Sequence, residues 1–185
     1  MTSVRRGKYE GCFVFGENEK RKAWAHYTTP LVKTEYGFFY LDKKQDPITK
    51  LSQLKGKTIV VHQKSNTHKE LLSLQRIHNK SQLDFHIHTT LDIETALNMF
   101  ANNRFEKDTY LFGNKDILLH MAKSLSYKTV RYSLKHSELN YHIGLSKKAV
   151  SDKLFNELNS ALKIFKEQEQ YQKLLAQYGV FAPKD

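Results

Sequence analysis

Apolar positions along this chain change their period several times, and each change marks an element. "YEGCFVF", residues 9–15, reads as a strand, "GENEKRK" as a polar turn, and "EYGFFYL", 35–41, as a second apolar run. The next segment, "DKKQDPITKLSQLKGK", is polar and carries Pro47 and Gly56, which predicts a connector. From Lys57 to about His136 strand and helix patterns alternate. "KTIVVHQ" places β-branched residues side by side, as a buried strand does, and Ser65 to His78 then spaces Leu71, Leu72, Leu74 and Ile77 along one helical face. Thr67 with Glu70 has the spacing of a capping box. "LDFHIHTT" alternates, "LDIETALNMFANN" sets Ile93, Ala96, Leu97 and Phe100 on one helical side, and "DTYLFG" is a short strand. A helix over "NKDILLHMAKSL" and a strand over "YKTVRYSL" complete the run.

This βαβαβαβ order predicts a mainly parallel sheet with helices on its faces. Beyond it come a strand, "NYHIGLS", and a long helix whose apolar stripe is Leu154, Phe155, Leu158, Ala161, Leu162 and Phe165. The organisation is nested. A partial α/β unit at 1–42 is interrupted by a complete one at 43–137, and 138–185 returns to the first, so two connections cross between them.

Composition narrows the classes. With 185 residues, 39% of them hydrophobic, the chain can bury one sizeable core or two small lobes. Lys and Arg outnumber Asp and Glu by 30 to 19, which favours anionic ligands, acidic partners or anionic surfaces without choosing among them. The lysines are spread along the chain and no nucleic-acid motif is visible, so no nucleic-acid partner is expected. The single cysteine, Cys12, lies in an apolar run and is expected to be a buried thiol. No window approaches a membrane span, and "MTSVRRGKYEG" has no apolar signal core behind its arginines, so the form as given is expected to be cytoplasmic. His86 and His88 share a strand face without a third ligand nearby, so no metal is expected, and no cofactor motif is present. His136 and His142 are expected to be exposed.

Several local stretches, in order, carry a resemblance. "GKYEG" followed by "ENEKRKAWAHYTTP", "QLKGKTIVVHQKSN", "TALNMFANNRFEKD" and "YHIGLSKKAVSDKLFNELNSALKIFKEQEQYQKLLAQYG" are similar to the successive motifs of the periplasmic solute-binding proteins for polar amino acids. These are the family 3 proteins, of the type with two α/β lobes joined by two hinge strands. The resemblance covers essentially the whole chain, but the family has a further front segment with a signal sequence and the first strand and helix of lobe one. It therefore implies a two-lobed periplasmic-binding-protein-like α/β fold whose lobe 1 is incomplete at its N-terminus. Such a lobe would leave "YEGCFVF" as an apolar edge, and a homodimer or strand-exchanged dimer is expected through it.

The resemblance also implies site residues. In the family an arginine at the place of Arg21 forks onto the ligand's carboxylate, which lysine cannot copy geometrically. Read without it, Arg21 is a solvated turn residue or a partner of Glu17 or Glu19. Ser65, Asn66 and Thr67 match the strand-to-helix corner that receives the same carboxylate from the opposite lobe, although Lys64 stands where the family has glycine. The bland alternative is a helix cap at Ser65 or Thr67. Asn114 or Asp116 falls where the family places an acceptor for the ligand's amino group, again with a helix cap as the alternative. The stretch before Arg21, "CFVFGEN", lacks the hydroxyls that the family offers to that group, which leaves an anion without an amino group open as ligand. Trp24, Phe38, Phe39 and Tyr40 are expected to pack core and hinge.

The function implied is non-enzymatic. An extracytoplasmic protein, periplasmic in the full-length family, would bind an amino acid or small carboxylate for ABC-type transport or sensing, with a transporter permease as partner. Two alternatives stand beside it: a cyclohexadienyl-dehydratase-like enzyme on the same scaffold, for which no spacing singles out a general acid, and a non-functional truncated remnant.

Overall fold

The computed structural model describes residues 2–78 and 84–183. Leu83, the first residue of the alternating stretch "LDFHIHTT", lies outside them. In chain order the elements are α1 (Thr2–Arg5), β1 (Gly11–Gly16), α2 (Glu19–Lys22), β2 (Ala25–Tyr27), β3 (Val32–Leu41), β4 (Thr58–His62), α3 (Asn66–His78), β5 (His86–Thr90), α4 (Ile93–Ala101), β6 (Thr109–Asn114), α5 (Lys115–Ser124), β7 (Val130–Ser146), α6 (Asp152–Glu167) and α7 (Glu169–Tyr178). A turn of 3-10 helix at Leu51–Leu54 precedes β4. The stretches "YKTVRYSL" and "NYHIGLS", expected as separate strands, are two ends of one 17-residue strand, β7, because the mostly polar residues between them, Lys135 to Leu139, stay extended.

The chain divides into two compact units, residues 1–34 with 138–185 and residues 35–137. It passes from one to the other within β3 and again within β7.

In the first unit β1 and β2 both run antiparallel to the end of β7, with Gly11 opposite Leu145 and Tyr27 opposite Gly144. Phe15, Ala25, Leu145 and Val150 are buried, together with Tyr171 and Leu175 from α7. The Tyr171 hydroxyl donates to the Leu31 carbonyl. Among the described residues β1 pairs on one side only, and its pairing breaks at a bulge between Cys12 and Phe15. There Phe13 is 77% exposed and Val14 60% exposed, with Val14 at φ 55°. Cys12 is half-buried rather than buried. On α6 the expected stripe is only partly covered: Phe155, Leu158, Leu162 and Phe165 are half-buried, and Leu154 and Ala161 are exposed. His142, expected on the surface, is buried, and its Nδ1 lies 2.7 Å from the Thr28 carbonyl oxygen.

The second unit orders its strands β7-β3-β6-β4-β5. β4 runs parallel to both β5 and β6, and β3 antiparallel to β6, with Phe38 opposite Phe112 and Tyr36 opposite Asn114. Alternation along the strands splits the core into two layers. Val60, Leu111 and Phe39 pack with Ala96, Leu97 and Phe100 of α4 and Leu118 of α5. Ile59 and Val61 point the other way, where Leu71 and Leu74 of α3 are buried. Ile77, expected on that helical face, is exposed. The crossovers from β4 to β5 and from β5 to β6 run in opposite directions along the sheet, so right-handed connections put α3 and α4 on opposite faces. Adjacent strands β4 and β6 thus send their following helices to different faces. That makes a topological switch point at their carboxyl ends, the place where open α/β sheets bind ligands.

Candidate functional site

At the end of β4 the chain turns through Lys64 at φ 56°, in the left-handed region that glycine enters freely. Lysine stands here in place of the glycine of the resemblance, with its N–H donating to Nδ1 of His68 at 3.1 Å. The next residue caps α3. The Ser65 hydroxyl donates to the His62 carbonyl at 2.6 Å, accepts the His68 N–H at 3.0 Å and lies 2.7 Å from the Thr67 hydroxyl. One hydrogen and two lone pairs are then all in use. Ser65 therefore caps the helix and Thr67 sits inside it, so the expected capping box with Glu70 does not form. The backbone N–H groups of Asn66 and Thr67, at the positive end of α3, are among those the helix cannot satisfy itself.

At the end of β6, one strand or about 4.8 Å across, Asn114 is 2% exposed and caps α5, its Oδ1 accepting the Ile117 N–H at 3.0 Å. Asp116 follows, half-buried in the first turn and engaged with a partner of its own. The structure thus brings Ser65, Asn66, Thr67, Asn114 and Asp116 to one edge of one unit.

The same edge holds three residues that sequence reading did not single out. The Glu35 carboxylate accepts the Tyr132 hydroxyl at 3.1 Å and lies 3.3 Å from the Lys115 ammonium, both through Oε2. The ammonium also sits 5.1 Å from the centre of the Tyr132 ring. Burial, and then the Glu35 charge, push the Tyr132 hydroxyl well above its ordinary pKa. Lys115 was legible only as the neighbour of Asn114. Glu35 and Tyr132 are 97 positions apart, and no local signal joins them.

Arg21 belongs to the other unit. It lies in the short helix α2, which the Asn18 side chain caps by accepting the Lys20 N–H at 2.9 Å. Its guanidinium donates to the Gly16 carbonyl at 2.9 Å and lies 4.9 Å from the centre of the Phe15 ring, which meets Trp24 edge-on. Glu17 and Glu19, weighed as its partners, both pair with Lys22, at 2.7 and 2.8 Å. The Lys22 ammonium holds the Glu17 carboxyl below its usual range. Arg21 is left oriented by stacking, with donors to spare and no carboxylate partner among the described residues.

A groove of about 910 Å³ in the second unit is not at this edge. It lies at the amino ends of β4 and β6, beside Lys57, Asp108 and the Asp42–Ile48 turn. Among the described residues no three His, Cys, Asp or Glu side chains are grouped to hold a metal, and no helix is long and apolar enough to cross a membrane.

No family model and no curated protein matches the chain. Solved structures do. A histidine kinase sensor domain described as similar to periplasmic binding proteins superposes with a TM-score of 0.79 at 17% identity, over 98% of this chain and 75% of that one. The chain has the periplasmic-binding-protein fold. An ancestral arginine-binding protein bound to arginine has a TM-score of 0.76 at 18% identity, over 96% of this chain and 74% of its own. A probable amino-acid ABC transporter extracellular-binding protein from Bacillus subtilis has 0.77 at 14%, again over 96% of this chain and 74% of its own. The chain thus spans about three quarters of each of these three structures. That fold is the α/β architecture expected from the motifs, and at these identities the likeness carries the architecture and leaves the chemistry to the residues.

Proposed function

We propose that this chain binds a small solute carrying a carboxylate, an amino acid first among them, outside the cytoplasm, for ABC-type uptake or for sensing. No covalent step is involved. The observation that carries the reading is the corner after β4. It lies at the switch point of its sheet, its serine is spent on capping, and the N–H groups of Asn66 and Thr67 remain for an anion. Arg21, in the other unit, offers a set of donors suited to a carboxylate, since packing on Phe15 orients it and Lys22 has taken the nearby acidic residues. Similarity to proteins described as arginine-binding and as amino-acid ABC transporter components supports the class of solute.

The test is a thermal-shift screen and calorimetry of the full chain against amino acids and amino-free carboxylates, with Arg21→Lys alongside. Hydrogen bonds to charged groups contribute roughly 1.5 to 3 kcal/mol, so the variant should bind its best ligand about tenfold or more weakly. A ligand that raises the melting temperature equally in both proteins removes Arg21 from the site.

We further propose self-association through β1, supported by Phe13 and Val14 exposed on a strand paired on one side. Light scattering at rising concentration should show a dimer, and a monomer throughout refutes it.

A further inference from the structure

We infer that Glu35 is the acceptor for the ammonium group of the solute, with Tyr132 as its positioning residue. This rests on the solute-binding reading. An amino acid needs, near the donors for its carboxylate, a charged oxygen with lone pairs to spare. Of the two acceptors expected at this edge from the sequence, Asn114 is uncharged and its Oδ1 caps α5, and Asp116 in the first turn of α5 already has a partner.

Glu35 meets the requirement. Tyr36 lies opposite Asn114 in the β3–β6 pairing, so Glu35 is one residue further along at the edge where β6 gives way to α5. Its side chain is 24% exposed, reachable yet only partly hydrated. Oε2 takes both the Tyr132 hydroxyl and Lys115, while Oε1 has no partner among the described residues. A carboxylate offers about four lone-pair sites, so capacity for another cation remains.

Lys115 shows that this carboxylate accepts an ammonium. Its 3.3 Å contact is longer than the roughly 2.7–2.9 Å of a tight charge-assisted bond. The Tyr132 ring beneath it offers a second seat, so the lysine can yield Glu35 to another ammonium without losing all its stabilisation. The Tyr132 hydroxyl, held protonated by burial, fixes the orientation of the carboxylate.

The experiment measures, on the full chain, the ratio of affinities for an amino acid and its amino-free counterpart, using glutamate with glutarate and valine with isovalerate. The wild type should favour the amino acid by about tenfold or more. Glu35→Gln should bring the ratio close to one while leaving the amino-free acid bound as before. Tyr132→Phe should lower the ratio severalfold, and carries the test should E35Q not fold. Lys115→Met should keep or raise the ratio. An unchanged ratio in E35Q, or in Y132F where E35Q is unfolded, overturns the role of Glu35 and leaves solute binding standing. Wild-type protein that binds the amino-free acid as tightly as the amino acid does the same. Binding of neither probe nor any member of the screen overturns both.

Discussion

Lys64 offers a clean measurement of the left-handed backbone at the corner after β4. The perturbation is Lys64→Gly, with Lys64→Ala as control. At φ 56° a residue with a Cβ pays roughly 1–2 kcal/mol against its preferred conformations, and glycine pays nothing there. Glycine also brings an entropic cost of roughly 0.5–1 kcal/mol from the unfolded chain. The Lys64 side chain is exposed, and its one described hydrogen bond, to His68, is made by the backbone N–H that glycine keeps. The net gain for K64G is therefore about 0.5–1 kcal/mol. In a chain of this length that is about 1–4 °C in melting temperature. K64A retains the Cβ, removes the charge and should sit close to wild type. Calorimetry or circular dichroism at matched ionic strength reads both. K64G no more stable than K64A would refute a left-handed residue at this corner.

Two further outcomes follow from the same edge. Asn114→Ala removes the α5 cap and should cost about 0.5–2 kcal/mol, measurable by urea unfolding, whereas Asn114→Asp keeps an oxygen cap and should cost less. Tyr132 has a folded pKa raised above that of the unfolded chain, so its contribution is fully present below about pH 10 and is lost as pH rises from there towards the folded value. Above pH 10 the wild type should lose stability more steeply than Tyr132→Phe, by up to about 1.4 kcal/mol per pH unit, and equal slopes in alkaline unfolding would contradict the burial of this hydroxyl.

Local pattern was enough for most elements of the second unit, whereas in the first it left α2 within a polar turn and did not mark β2. The 3.6-residue period of Ile93, Ala96, Leu97 and Phe100 set α4 and its buried face, and the β-branched run at Ile59–Val61 set a strand buried on both sides. Alternation of the two periods implied parallel strands with helices between them, and right-handed crossovers do the rest. The site was legible to the extent that it is made of chain corners. A strand ending in a polar turn before a helix announces itself at Ser65 and again at Asn114, because caps obey short-range rules. The same rules could not say whether a cap residue is spent on its helix. That depends on where each hydroxyl hydrogen and lone pair goes, and at Ser65 all are taken locally.

Other features were decided only by tertiary structure. One long β7 replaces two strands because an extended polar stretch and a loop look alike in sequence, and pairing distinguishes them. Burial of His142 depends on Thr28, 114 positions away. The partial covering of α6 depends on what the rest of its unit brings to that helix, which its own stripe cannot report. Glu35, Lys115 and Tyr132 meet because β3 pairs with β6 and lies beside β7, a register fixed by the packing of Phe38, Phe39, Leu111 and Phe112. Short-range sterics and hydrophobic period thus determined which segments are strands and helices. Long-range pairing, which no local pattern encodes, determined which charges share an edge.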